Sequence, residues 1–342
     1  MNWLYNADKP KKEKDAKKKY WIIDYSFYMW NGSFAYKREC RCVNSHGKPN
    51  PSCEKCAGTG KIYMQSKDGI ITGGLYAVFK MAIQKTREGY IVITVFDPPK
   101  EDLKRTKLLD SYKGNRGEKP EWIATQMKIG QDLLPHTAVQ CYTSKDDESD
   151  DVMATLAIEL ADEGHYVVVA SDDKDMFPLL QHPNIDLFRM KEMFTYDTFK
   201  RKYPFEPIRF NEYLAICGDT ADNFNLLEGL GPVAAEYLIK NTATCITEVF
   251  DDLNSLPKKY RKKLVECTRG EEKCSDAKEG CSECQNFASD KKKTMELSLL
   301  IATLEIEAKY DNINKENDIN KVHKQLADLS MTWVAEHVAC LF

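Results

Sequence analysis

Tyr166-Val167-Val168-Val169-Ala170-Ser171-Asp172-Asp173-Lys174-Asp175 decides the fold. Its first five residues are apolar and mostly β-branched, the mark of a short buried strand, and the chain leaves them through an acidic turn. The segment before it, Ser149–Glu163, reads as a helix. Val152, Leu156 and Leu160 recur at the i, i+4, i+8 spacing of a buried stripe. Ser149 is placed to cap that helix, and Asp150 and Asp151 fall in its first turn, where the helix dipole favours anions. The same unit recurs upstream. Tyr20–Ile23 and Tyr90–Phe96 are short β-rich runs that end at Asp24 and Asp97, and Gly74–Thr86 is a helical pattern between them. This alternation predicts an α/β fold with a mostly parallel central sheet flanked by helices. Ligand sites in such sheets lie off the carboxyl ends of the strands, where these acidic residues fall. A single Asp after a strand is ordinary turn chemistry. Three strands repeating it point to a site.

The chain has 342 residues, enough for one large domain or two ordinary ones. Hydrophobic residues at 42% and charged residues at 30% exclude a disordered tail or a collagen-like fibre. No apolar run approaches the ~18 residues of a membrane span. The polar, lysine-rich N-terminus lacks the apolar stretch of a secretory signal. The expected location is the cytoplasm. The net charge of −4 is unevenly placed. Residues 143–175 hold 11 acidic and 2 basic side chains, a net of −9, so the rest of the chain sums to +5. Segment 100–119 holds 7 basic and 4 acidic residues. An acidic centre inside a basic chain suits a metal-dependent enzyme acting on a polyanion, and solvated acidic loops are the alternative.

Residues 1–19 form a basic arm around the run Lys9–Lys19, either a phosphate contact or a solubilising tail. Residues 20–208 form the α/β core. From 209 the pattern turns helical. Phe210–Ile216 leads into Gly218-Asp219-Thr220-Ala221-Asp222-Asn223, and Gly229-Leu230-Gly231-Pro232 opens a helix through Ile239. Pro257–Lys263 then carries five basic residues in seven, namely Lys258, Lys259, Arg261, Lys262 and Lys263.

Eight of the twelve cysteines fall into two groups, one in an insertion at 38–62 and one at 267–284. Cys40, Cys42, Cys53 and Cys56 form the first, and its second half has the Cys-x-x-Cys-x-Gly-x-Gly spacing of a chaperone zinc repeat. Cys267, Cys274, Cys281 and Cys284 form the second. Four thiolates can hold zinc tetrahedrally and fold a segment with no core of its own, so up to two structural zinc ions are expected. Disulfides are the alternative, disfavoured in a reducing compartment. His46 is an alternative ligand in the first group.

Six motifs in order carry a resemblance: Asp24 after Trp21-Ile22-Ile23; Asp97 after Val95-Phe96; Tyr112-Lys113-Gly114-Asn115-Arg116; Glu148-Ser149-Asp150-Asp151; Asp173-Lys174-Asp175; and Gly218-Asp219-x-x-Asp222-Asn223 before Gly229-Leu230-Gly231. From about Tyr20 to about Glu307 the chain resembles the 5′-nuclease family of phage 5′–3′ exonucleases, the 5′-nuclease domain of bacterial DNA polymerase I and flap endonucleases, whose core is of the resolvase-like, PIN-like type. The resemblance implies a structure-specific nuclease acting on branched or nicked duplex DNA near a free 5′ end, leaving a 5′-phosphate and a 3′-hydroxyl. It implies two magnesium ions, with manganese as a substitute. Asp24, Asp97, Glu148 and Asp150 would hold the first, with Asp151 close by; Asp173, Asp175, Asp219 and Asp222 would hold or support the second. Lys113 and Arg116 would stand by the scissile phosphate on an arch formed by 100–122. Gly229 and Gly231 would bind duplex phosphate in a helix–three-turn–helix element that also seats potassium, and Lys258 to Lys263 would extend that track or form a solvated helix face. RNA primers or flaps would be substrates, replication proteins partners, and the enzyme a monomer, in host-cell cytoplasm if phage-encoded. A non-catalytic, zinc-stabilised binder of branched DNA on the same fold is the rival reading. The sequence departs from the family where Tyr25 replaces the usual Gly and where Phe27-Tyr28-Met29-Trp30-Asn31 stands in the stretch that often carries a basic residue. Tyr28 or Trp30 there either stacks on an unpaired base or belongs to the core.

Overall fold

The computed structural model describes residues 17–56, 58–98, 103–109, 112–114, 117–220, 222–224, 227, 229–265, 268–269, 272–273 and 282–342. The chain starts with strand β1 (Lys19–Asp24) and helix α1 (Tyr25–Ala35), then a ribbon of β2 (Lys37–Glu39) and β3 (Lys61–Tyr63). Helix α2 (Gly73–Arg87), β4 (Ile91–Phe96), α3 (Lys104–Leu108), α4 (Glu121–Leu133) and β5 (Gln140–Ser144) follow. Next come α5 (Ser149–Asp162), β6 (Tyr166–Ala170), β7 (Ile185–Arg189), β8 (Glu192–Phe194), α6 (Tyr196–Lys202), α7 (Phe210–Cys217) and α8 (Pro232–Lys240). The last elements are α9 (Lys258–Val265), a short ribbon of β9 (Thr268–Arg269) and β10 (Glu272–Lys273), α10 (Ser282–Ala302), β11 (Tyr310–Asn312), α11 (Ile319–Asp328) and α12 (Thr332–His337).

The central sheet has seven strands in the order β11-β5-β4-β1-β6-β7-β8. Pairings β5/β4, β4/β1, β1/β6 and β6/β7 are parallel, and β11 and β8 close the two edges antiparallel. The mostly parallel α/β expectation therefore holds. The chain builds outward from β1 through β4 to β5, then returns to the other side of β1 to add β6. This reversal opens a crevice at the carboxyl ends of β1 and its neighbours, the place where doubly wound sheets bind ligands.

Alternation along the strands assigns each side chain to a layer. Tyr20 and Ile22 of β1 and Val167 and Val169 of β6 point into one core, with α5, α7, α8 and α10. Trp21 and Ile23, with Tyr166 and Val168, point into the other, with α1, α2, α4, α11 and α12. Strands buried on both faces explain the near-continuous apolar runs in the sequence. The C-terminal part, which reads as all helical, also supplies β11, which pairs Tyr310 with Ser144 and Asn312 with Tyr142. Tyr310 is half-buried and packs against the first core, and such a short polar run carries too little periodicity to announce a strand. No helix among the described residues is long and apolar enough to cross a membrane.

The cap of α5 is one residue earlier than its sequence suggests. Glu148 is the N-cap, and its side chain and that of Asp151 form a reciprocal capping box, with Ser149 already inside the helix.

Helices α1 and α2 meet where neither has a side chain. A Cβ on Gly74 would lie 2.4 Å from the Met29 carbonyl oxygen and 2.6 Å from Ser33 Oγ. In its place the Gly74 N–H donates to Gln126 Oε1 at 2.8 Å, and Gln126 Nε2 donates to Ser33 Oγ at 3.0 Å, joining α1, α2 and α4 through a buried polar seam. Gly74→Ala should cost about 2 kcal/mol, because the clash is with backbone that cannot step aside. Urea unfolding of the variant measures it, and an unchanged midpoint would show that the helices can part freely.

Candidate active site

The acidic residues at the carboxyl ends of β1 and β6 are held by their own local turns, and the one after β4 by distant serines. Asp24 ends β1 and caps α1, accepting from the Phe27 N–H at 2.9 Å, while its second oxygen accepts from Ser171 Oγ at 2.7 Å. One residue thus fixes the direction of α1 and presents a carboxylate to the crevice. Asp97, just past β4, is exposed and accepts from the hydroxyls of Ser26 and Ser149. Asp173, past β6, accepts from the Asp175 N–H at 2.9 Å, starting the 3-10 stretch Lys174–Gln181. Asp219 and Asp222 are buried in a tight turn closed by reciprocal backbone bonds between Asp219 and Phe224. That turn starts at Gly218, where φ is +73° and a side chain would be strained.

Two cations from the segment between β4 and α4 reach into this acidic set. Arg105 on α3 makes a fork with Asp151, at 2.6 and 2.9 Å, and also donates to Glu148 at 2.6 Å. Lys113 Nζ donates to the other Glu148 oxygen and lies 4.0 Å from Asp222 Oδ2. Its backbone N–H donates to the Asp222 carbonyl at 2.9 Å. Tyr112 Oη bridges Glu148 and Asp222 at 2.9 and 3.1 Å. Lys174 Nζ contacts Asp219 at 3.0 Å.

The electrostatics divide the carboxylates. Burial raises Asp24 to about 7, with the charges of Asp97 and Asp173 adding to it and hydrogen bonds opposing. Burial raises Asp150 and Asp175 well above the usual carboxylate range, and neighbouring aspartates push the same way. Asp173 is raised too, again chiefly by burial. Glu148 goes the other way. Burial works to raise it, but Lys113 and Arg105 outweigh that and hold it low. A set of crowded aspartates that resist ionisation needs positive charge from outside. Asp175 Oδ1 makes the need specific, being buried with no hydrogen-bond partner. Crowded carboxylates with an orphaned oxygen fit hard, oxygen-seeking divalent cations.

The sequence-derived residues are not all equivalent. Asp151 is taken up by Arg105, by the Glu148 N–H at 3.0 Å and by the Glu305 N–H at 2.8 Å, so its oxygens serve the fold around the site. Arg116 lies outside the described residues. Gly229, with φ of +81°, and Gly231, the N-cap of α8, adjoin α9, whose Lys263 reaches the Gly229 carbonyl. Lys258, Lys259, Lys262 and Lys263 are exposed and Arg261 is half-buried. The sequence reading gives no role to Arg105, which is one of several cations in a charged segment, or to Ser26 and Ser171; Tyr112 and Ser149 stand within quoted motifs, but their bonds to Glu148, Asp222 and Asp97 are not foreseen there.

The four thiols of Cys40, Cys42, Cys53 and Cys56 lie within 4.8 Å of one another. Cys40 and Cys53 sulfurs are 3.7 Å apart, and Cys42 and Cys56 sulfurs 3.4 Å. Tetrahedral zinc with sulfurs at ~2.3 Å would set them about 3.8 Å apart. All four are free thiols rather than disulfides. Burial raises the Cys56 thiol, but the Gly60 N–H, donating at 3.3 Å, and the adjacent thiols win and bring it down to about 7. Gly58 and Gly60 both have φ of +74°, the left-handed geometry that lets the loop fold back over the sulfurs. His46 is exposed and outside this group. Of the second group, Cys267, Cys274 and Cys281 lie outside the described residues, as does the side chain of Cys284.

The chain resembles known proteins in sequence and in fold. A family model for the N-terminal resolvase-like domain of 5′-3′ exonucleases matches residues 57–204. The 5′-3′ exonuclease of Aquifex aeolicus is 27% identical over 288 residues, which cover 82% of this chain and 89% of that one. The flap endonuclease Xni of Yersinia pestis is 27% identical over 184 residues, 53% of this chain and 72% of that one. A structure of the T5 5′-exonuclease with bound zinc ions superposes with a TM-score of 0.56 over 95% of this chain and all of that one, at 16% identity, a likeness of fold.

The raised carboxyls make a stability prediction. Below about pH 4 both states keep the proton on Asp24, and between about 4 and 7 the unfolded chain releases it while the folded chain holds it. Its contribution to metal-free stability therefore falls as pH rises through that window, then levels off. In metal-free buffer near neutral pH, Asp24→Asn should be more stable than wild type by on the order of 1 kcal/mol, and added magnesium should stabilise wild type more than the variant. Thermal unfolding with and without magnesium checks this. A variant less stable than wild type in metal-free buffer would refute the crowding.

Proposed function

We propose, from the chain's match to the 5′-3′ exonuclease domain model and its likeness to curated 5′-3′ exonucleases, that it is a metal-dependent 5′-nuclease. It would hydrolyse a phosphodiester near a 5′ end of branched or nicked duplex DNA, leaving a 5′-phosphate and a 3′-hydroxyl. The observation that carries this is the gathering of Asp24, Asp97, Asp150, Asp173, Asp175, Asp219 and Asp222 at one crevice, with the buried Asp175 oxygen unpartnered. Asp24, Asp97 and Asp150 would hold one magnesium ion, with Glu148 beside them, its oxygens engaged by Lys113, Arg105 and Tyr112, and Asp173, Asp175, Asp219 and Asp222 would hold the other. Bound there, a pair of divalent ions supplies a nucleophilic water and neutralises charge on the leaving oxygen.

The protein's own groups do the rest. Lys113 stands at the rim, where its ammonium can counter charge that develops on the phosphate in the transition state. Asp222 and Glu148 hold it there. Arg116, three residues on, suits a bidentate phosphate contact. Asp151 and Arg105 position Glu148 rather than touch substrate. The turn Gly229–Gly231 before α8 offers backbone N–H groups and a helix N-terminus to a duplex phosphate, and the lysines of α9 beside it extend that track without reading sequence. RNA primers and flaps fall within this substrate class.

The crowding of carboxylates argues against a pure binder of branched DNA, because such a binder would gain from losing negative charge next to phosphate. Asp173→Asn tests the two readings. Cleavage of a 5′-labelled flap duplex with magnesium should fall by at least about a thousandfold while flap binding stays within a few-fold. Near-normal turnover would remove Asp173 from the site, and a wild-type protein that binds but never cuts would favour the binder.

The thiol group makes a separate expectation. Soft thiolates suit zinc and hard carboxylates suit magnesium, so the purified protein should carry tightly held zinc through Cys40, Cys42, Cys53 and Cys56. Elemental analysis should find at least one equivalent, and Cys53→Ser with Cys56→Ser should lose one. Zinc-free protein with an ordered 37–63 ribbon would overturn it.

A further inference from the structure

The cysteine ribbon has a surface that the cleavage reading leaves unused. Residues 37–67 carry Lys37, Arg38, Arg41, Lys48, Lys55, Lys61 and Lys67 against only Glu39 and Glu54. All seven cations are exposed, and none forms an ion pair among the described residues. Register sorts them further. Lys37 pairs with Tyr63 and Glu39 with Lys61, so Lys37, Lys61 and Tyr63 share one face of the ribbon with Glu39 as its single acid.

That face continues into aromatic side chains. Tyr63 lies 6.0 Å from Trp122 at the start of α4 and 6.3 Å from Phe34. Phe34 lies 5.2 Å from Trp122 and 5.6 Å from Trp30, one turn earlier on α1. Trp30 is 43% exposed, where burial would be the ordinary fate of so large a ring. The patch also adjoins the acidic crevice. Asp24 caps α1, and Trp30 sits six residues along the same helix, about 9 Å of rise.

We propose that this face binds a single-stranded nucleic-acid arm, its unpaired bases stacking on Trp30 and the neighbouring aromatics and its phosphates lying along Lys37 and Lys61. Duplex bases are already stacked and offer no face to an exposed indole, whereas an unpaired base gains about 1–3 kcal/mol from such a platform. Unpaired cations beside the rings supply the backbone attraction. This deepens the nuclease reading and rests on it for the neighbouring site: a strand leaving the crevice along α1 would meet the patch first.

Fluorescence anisotropy tests the idea in buffer without divalent cations, using zinc-loaded full-length protein. The probes are a duplex with a 5′ single-stranded thymidine arm of about ten nucleotides and a blunt duplex of the same paired length. Lys37→Gln with Lys61→Gln should weaken the armed duplex about tenfold and reduce its log–log salt slope by about 1.4, the value for two single-strand phosphate contacts. Trp30→Ala should weaken it about tenfold, and the blunt duplex should stay within twofold for both. Zinc content and circular dichroism confirm folding, and Trp30→His serves if the alanine variant does not fold. Equal losses on both probes, or no loss, would overturn the proposal. So would an acidic peptide that binds this face in place of the arm. The nuclease reading fails separately, through Asp173→Asn: intact cleavage there leaves the arm contact standing as a binding result, and loss of the arm effect leaves cleavage untouched.

Discussion

Mutual repulsion of carboxylates is the constraint around which this molecule is arranged. Aspartates from three strand ends, one turn and the start of α5 crowd a single crevice, and burial makes Asp24, Asp150, Asp173 and Asp175 costly to ionise. Inside a protein, charges of one sign at short range either find counter-charge or hold on to protons. The chain supplies a partial answer of its own: Arg105 and Lys113 hold Glu148 ionised and pair with its neighbours. Lys174 adds a contact to Asp219, while Asp175 keeps an oxygen buried and unpaired. The deficit that remains calls for positive charge, and oxygen donors of this kind suit hard cations.

Topology explains why the crowding occurs there. Building from β1 toward β5 and then back past β1 to β6 sets the carboxyl ends of β1, β4 and β6 side by side. Two of these strands end in residues that also start the next element, as Asp24 caps α1 and Asp173 caps a 3-10 turn. Caps sit in fixed geometry because they satisfy orphan backbone N–H groups. The same hydrogen bonds that stop the helices from fraying therefore aim the acids. Removing one of these aspartates trades site chemistry against a helix cap, and asparagine, which still accepts at the cap, separates the two effects.

Much of this was legible in the chain. The apolar runs ending in acids, the helical stripe of Val152, Leu156 and Leu160, and the order of the motifs gave the sheet, its flanking helices and most of the acidic set. What escaped had physical reasons. The edge strand at Tyr310–Asn312 is three residues long and polar, held by pairing rather than by pattern. The cap of the helix after β5 fell to Glu148 because Asp151 and Arg105 lock it there, a contact across 43 residues that no local rule contains. Arg105 was one cation among many, and its fork with Asp151 exists only once α3 packs beside α5. Serines such as Ser171 are silent in sequence until a carboxylate is brought to them.

The thiol ribbon shows how an insertion can be tolerated beside so demanding a site. It enters and leaves the fold between α1 and α2, and those helices pack through glycines that leave no slack for misplacement. A long flexible excursion there would cost loop entropy and add nothing to a core. Four sulfurs close enough to share one metal ion would remove that problem locally, leaving the ribbon's order to its own ligands and a single strand pair. Hard carboxylates and soft thiolates also select different metals, so a staple of this kind would not compete with the carboxylates for their ions. The ribbon is then free to be basic on its surface, a choice that a core-stabilised insertion, needing apolar residues, could not make.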